Sequence, residues 1–131
     1  MRRITEIIIH CTATKEGEDY TVEDIRRWHR ERGWNDCGYH FVVRLDGTVE
    51  HGRPIHVAGA HCKGHNANSI GIAYVGGLDK DGRPKDTRTV AQTEALLCLV
   101  YRVKHEFPEA KIYGHNAFAN KACPCFDISD L

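Results

Sequence analysis

The sequence predicts an α/β fold: a single domain over residues 1–131 in which a mixed central β-sheet is flanked by helices. Three observations carry this. Short β-branched or alternating runs, near 4–10, 39–52, 70–77 and 111–114, are interleaved with two helix-period segments that open on capping boxes. Asp46-Gly47 joins two of the alternating runs, a strong hairpin signal. A chain of 131 residues is long enough for one domain to bury its own core without staples. The resulting order is β-α-β-β-β-α-β, helices packed on a sheet.

Residues 4–10 read as a buried strand, β-branched and ending at a polar residue. Alternation puts Ile8 and His10 on one face and Ile7 and Ile9 on the other. CTATKEGED follows as loop. Thr21 with Asp24 starts a helix that runs to about Arg32, with Val22, Ile25, Trp28 and His29 on one face and Gly33 as its stop. His29 is expected to pack beside Trp28. In the hairpin, Tyr39 and His40 lie on opposite strand faces, so at most one points at a given cleft. From its own neighbourhood Tyr39 reads as an ordinary half-buried strand aromatic. Residues 54–69 form a Gly- and His-rich loop of the kind that lines binding clefts. Its spacing of His56, His61 and His65 does not make a second full metal site. IGIAYVGG is apolar on both faces and is expected to be a central strand. LDKDGRPKD is a turn-rich excursion. Thr89 and Gln92 form a full capping box for the longest helix, Val90 to Glu106, with Leu96, Leu97, Val100, Tyr101 and Val103 toward the core. KIYG is a last short strand.

Eighteen basic and eighteen acidic residues give no net charge, hence no electrostatic footprint for nucleic acid or an anionic membrane. No apolar run approaches membrane-spanning length, and MRRITEIIIH lacks a signal-peptide hydrophobic region, so the chain reads as cytoplasmic as made. Its six cysteines show no paired zinc-knuckle spacing. Cys98, in a helical apolar run, reads as a small hydrophobe, and all six are taken as reduced thiols, one of them recruited to metal.

The densest chemistry lies in YGHNAFANKACPCFD, residues 113–127. Imidazole and thiolate suit Zn²⁺, and a catalytic zinc takes three protein ligands and leaves one place open. His115 and Cys123 supply two, and the best third is His10, which closes IIIH at the other end of the chain. Each of these residues taken alone reads more readily as structural than as a ligand.

Four stretches, HCTAT (10–14), GYHFVVRLDGTVEHGR (38–53), HCKGHNANSIGIAYVGG (61–77) and GHNAFANKACPCFD (114–127), resemble one family in register over nearly the whole chain. It is the zinc N-acetylmuramoyl-L-alanine amidases of the T-seven phage lysozyme type, related to the peptidoglycan recognition proteins. The resemblance implies a recognition-protein-like fold with a substrate groove over the metal. It puts the zinc ligands on His10, His115 and Cys123 and the essential non-ligand residues on Tyr39 and Lys121, overriding the bland reading of Tyr39. Cys125 stands where the phage lysozyme has a serine and is read as a non-ligand.

The implied reaction is hydrolysis of the amide between the lactyl group of N-acetylmuramic acid and L-alanine, with a zinc-activated water as nucleophile. Tyr39 and Lys121 would face the developing oxyanion. No glutamate in the motifs suits a general base, so proton shuttling by Tyr39, by Lys121 or by the product amine stays open. His61, Lys63, Asn66 and Ser69 are the expected groove contacts to peptide or sugar. Peptidoglycan or a soluble muropeptide is the expected partner, the chain a monomer, the biology that of a phage or prophage endolysin. The rival readings are a non-catalytic peptidoglycan-binding module, and an added inhibitory contact with a phage RNA polymerase as in the phage lysozyme.

Overall fold

A computed structural model describes residues 1–131. In chain order the elements are β1 (Glu6–Cys11), β2 (Thr14–Lys15), α1 (Val22–Glu31), β3 (Phe41–Val43) and β4 (Val49–His51). There follow β5 (Ser69–Tyr74), β6 (Gly77–Leu78), α2 (Val90–Glu106) and β7 (Lys111–Gly114). The five-stranded sheet runs β4-β3-β5-β1-β7. β1 pairs in parallel with β5 and β7, and β5 in parallel with β3. Only the β3–β4 hairpin is antiparallel, turning through Gly47 at φ +86°. The sheet is therefore mixed, with β5 and β1 at its middle.

The isoleucine runs explain that placement. Ile7, Ile8, Ile9, Ile70 and Ile72 are wholly buried, as strands covered on both faces must be. Burying one such side chain is worth roughly 1.5–3 kcal/mol. Ile7, Ile9, Ile70, Ile72 and Tyr74 face α2 and pack with Leu96, Leu99, Val100 and Val103. On the opposite face Val22 and Ile25 of α1 pack with Val42 and Val75. His10 has the alternation parity of Ile8, so it points away from the α2 core, at the C-terminal end of a strand held rigid on both sides.

Both helices open on capping boxes, Thr21 with Asp24 and Thr89 with Gln92. Gln92 does more than cap. Its amide nitrogen donates to the carbonyls of Val43 (3.2 Å) and Val75 (2.9 Å), tying α2 to the ends of β3 and β5. Two expected core positions of α2 are exposed: Leu97 at 40% and Tyr101 at 70%. The buried stripe is Gln92, Leu96, Leu99, Val100 and Val103, and at 100° per residue 97 falls outside it and 101 nearly opposite. β2 and β6 form a small separate parallel pair, too short to show a period: β2 lies in the expected loop, and β6 joins the last residue of the expected IGIAYVGG strand to the first of the expected turn. No helix is long and apolar enough to cross a membrane.

Candidate metal centre and its cleft

Parallel pairing brings the two ends of the chain together. β1 delivers His10 from its C-terminal end, and β7 runs beside it in the same direction into His115, which opens a short 3₁₀ turn (His115–Ala117). The loop beyond folds back over β1 and sets Cys123 against it, where the Cys11 backbone N–H donates to Cys123 Sγ at 3.2 Å. One potential ligand atom from each of His10, His115 and Cys123 lies within 4.8 Å of the others. The His10 and His115 ring centroids are 4.5 Å apart, and Cys123 Sγ is 3.9 Å from His10 Nδ1. Two imidazoles and a thiol at these separations make a compact N₂S set of the kind that suits zinc.

The electrostatics favour ligand forms. His10 is 1% exposed, and burial, then the neighbouring His61, His115 and Lys121, hold it neutral by pushing its pKa far down. Burial and then Lys121 lower His115 as well. The Cys123 thiol is lowered, first by its contact with the Cys11 side chain, while Cys11 itself is driven up. Neutral imidazole and a thiol eased toward thiolate are the forms that bind metal.

These residues sit in a cleft of about 660 Å³ whose wall includes Tyr39 and Lys121. The Tyr39 ring lies 5.2 Å from that of His10, and burial pushes its phenol pKa up, so the hydroxyl stays a proton donor. Lys121 is exposed, two residues before Cys123. No carboxylate lines the cleft, and its permanently charged groups, Arg32, Lys63 and Lys121, are all cationic.

The four expected groove residues divide. Lys63 is exposed in the cleft wall, and Asn66 also lines it, but Asn66 Oδ1 accepts the backbone N–H groups of His61 (2.9 Å) and Cys62 (3.0 Å). Asn66 thus holds the loop as well. Ser69 departs from expectation. It is fully buried, outside the cleft wall, with its hydroxyl 3.1 Å from His61 Nε2. His61 is 9% exposed, and its Nδ1 is 2.8 Å from His10 Nε2.

His29 does not pack beside Trp28. It turns to the cleft, ring centroids 4.7 Å from Trp34 and 5.5 Å from Tyr39, and its Nδ1 accepts the Gly38 N–H at 2.7 Å. Trp28 packs on Tyr20 instead. Tyr39 and His40, expected in the strand, lie just before β3; His40 stays out of the cleft, and its Nδ1 accepts the Gly71 N–H at 3.0 Å. The sequence reading missed Cys11, Arg32, Trp34 and Phe118 as site neighbours. Arg32 and Trp34 flank Gly33 just past α1, and only the path of that loop brings them over the cleft. All six cysteines are free, and Cys125 Sγ is 4.0 Å from Cys11 Sγ, outside the His10–His115–Cys123 set.

The family model for N-acetylmuramoyl-L-alanine amidase (Amidase_2) matches residues 1–126. The endolysin of Klebsiella phage KP32 is 46% identical over 124 residues, covering 95% of this chain and 82% of the relative. The endolysin of Escherichia phage T7 is 44% identical over 122 residues, 93% of this chain and 81% of the relative. Among solved structures, the N-acetylmuramoyl-L-alanine amidase LysC from Clostridium intestinale superposes with a TM-score of 0.81 at 28% identity, over 94% of this chain and 77% of that one.

Proposed function

This chain belongs to the N-acetylmuramoyl-L-alanine amidase family, and on that footing we propose that residues 1–131 act as one endolysin-type amidase domain. The reaction is hydrolysis of the amide joining the lactyl group of N-acetylmuramic acid to L-alanine in peptidoglycan. The observation that carries this reading is the convergence of His10, His115 and Cys123 in a cleft of a chain that the family model spans. The metal is zinc, because two neutral imidazoles and one thiolate are its preferred donors and three protein ligands leave a position open to substrate. When bound, zinc supplies Lewis acidity and a water whose pKa is brought toward neutrality.

The protein's own groups do the rest. Tyr39 donates its phenolic proton toward the oxygen of the attacked carbonyl as charge develops there, and Lys121 adds a positive charge on the same side. With no carboxylate in the cleft wall, proton transfer to the departing amine falls to Tyr39, to Lys121 or to water. Lys63 and Arg32 complement the carboxylates of the stem peptide.

The test is zinc content and muropeptide cleavage measured on one preparation, wild type beside Cys123→Ala. Stoichiometric zinc with release of free stem peptide, both lost in Cys123→Ala, is the expected result. Zinc without cleavage would leave a binding module, and a wild type that takes up no zinc would refute the ligand set.

A further inference from the structure

His61 was expected to touch substrate, yet its surroundings are those of a part that holds another part in place. Its ring lies flat against the sheet, where a Cβ on Gly71 would come within 2.6 Å of its Cγ and one on Gly59 within 2.7 Å of its Cδ2. Only glycine at both positions leaves room for the imidazole. Its backbone N–H is pinned by Asn66 Oδ1, one ring nitrogen meets Ser69 Oγ at 3.1 Å, and the other meets His10 Nε2 at 2.8 Å. His10, His61 and Ser69 are all buried. His61 reaches the cleft wall, but a side chain held at both ring nitrogens and at its backbone makes a poor adaptable substrate contact and a good brace.

We propose that His61 is a positioning residue for the metal ligand His10, acting through a directed hydrogen-bond chain His10–His61–Ser69. The inference rests on the metal site read above, and the geometry supplies the direction. His10 Nε2 is occupied at 2.8 Å by His61, so the nitrogen free to meet a metal is Nδ1, which faces Cys123 Sγ at 3.9 Å. A neutral imidazole bound to metal through Nδ1 carries its proton on Nε2. That proton is donated to His61 Nδ1, which places the His61 proton on Nε2, donated in turn to Ser69 Oγ. The reverse direction would require His10 to hold the metal with no ring proton at all. The chain therefore fixes the His10 tautomer and ring plane before metal arrives and makes Nδ1 a better donor, the task a carboxylate or backbone carbonyl performs at other metal-bound histidines.

Two measurements test this, and neither reads turnover. Long-range ¹H–¹⁵N spectra of the zinc-loaded wild type should show His10 protonated on Nε2, and His61 protonated on Nε2 with Nδ1 bare. Either ring in the other tautomer overturns the proposal. Zinc affinity, read by competition with a chelating dye, should fall about 10–100-fold in His61→Leu, the usual loss when the outer partner of a metal-bound histidine is removed. His61→Asn, whose carbonyl oxygen takes the place of Nδ1, should recover most of that loss. Equal affinity in His61→Leu and wild type refutes the brace, and equal weakness in Leu and Asn reduces it to packing. Ser69→Ala removes one oxygen and little packing. It should weaken zinc even if Leu disturbs the loop, and unchanged affinity there counts against the chain. A wild type that binds no zinc removes the metal-site reading itself, an outcome distinct from all of these.

Discussion

Tyr39 and Lys121 illustrate how little of a residue's role is visible in its immediate sequence. Tyr39 reads from its neighbours as an ordinary strand aromatic, but the fold sets it just before β3 with its ring 5.2 Å from His10 at the cleft wall. Burial holds its phenol protonated, the form that the proposed role as oxyanion donor requires. Tyr39→Phe should lower kcat by about 10²–10³ while zinc stays stoichiometric, because one transition-state donor is removed and no ligand is touched. Steady-state kinetics beside metal analysis check both halves, and zinc loss in Tyr39→Phe would contradict the assignment. His29 and His40 test burial differently. Each accepts a backbone N–H through Nδ1, and burial pushes each pKa down to about 4. The unfolded value is about 6.5, so the unfolded chain takes up protons first. Their stabilisation is complete above pH 6.5 and is lost as pH falls toward 4, up to about 3 kcal/mol apiece at 1.4 kcal/mol per unit. Urea midpoints of metal-free protein at pH 7, 5.5 and 4.5 should fall steadily, and a flat series would contradict this.

The α2 helix shows why one element can be placed from sequence and its docking cannot. Thr89-x-x-Gln92 announces its start, and the structure keeps that box. The same Gln92 also satisfies the carbonyls of Val43 and Val75 across the layer, a contact no local pattern encodes. Gln92→Leu should therefore cost more than a cap: the Val75 carbonyl loses its donor, the Val43 carbonyl keeps only the Val75 N–H, and the box is broken, at about 1–3 kcal/mol for a buried group left unpaired. Thr89→Ala, which removes the cap and the hydroxyl that donates to Leu45 O at 2.6 Å, should cost about 1–2 kcal/mol. Equilibrium denaturation of both variants checks the ranking, with Gln92→Leu the more damaging. The exposed Leu97 and Tyr101 carry a related lesson. A helix with apolar residues on more than one side has several candidate stripes, and the sheet selects one of them.

For the molecule as a whole, the metal centre is where distant segments of chain are tied together. β1, β7 and the loop carrying Cys123 are joined by hydrogen bonds and packing, and a metal bound by all three stabilises the folded state by mass action. At free zinc a thousandfold above Kd the gain is about 4 kcal/mol. Thermal melts with and without chelator should differ by several degrees in wild type and coincide in Cys123→Ala. Coincident wild-type curves would mean that the three residues do not share an ion.

Much of this was readable from residue order alone. β1, α1, the Asp-Gly hairpin, the central β5, α2 and β7 follow from periodicity, caps and turn residues, all of which act within a few positions of chain. The sheet order β4-β3-β5-β1-β7, the parallel pairing that sets His10 beside His115, and the β2–β6 pair arise from contacts between residues far apart in sequence. Those contacts also turned His29 to the cleft and buried Ser69. The residue types at 10, 115 and 123 announced the class of ligand the site suits, because donor chemistry belongs to the side chain. Which atom of His10 faces Cys123, and which neighbour meets the other side of that ring, depend on packing: a hydrogen bond of 2.8 Å exists only after the strands have set both partners in place.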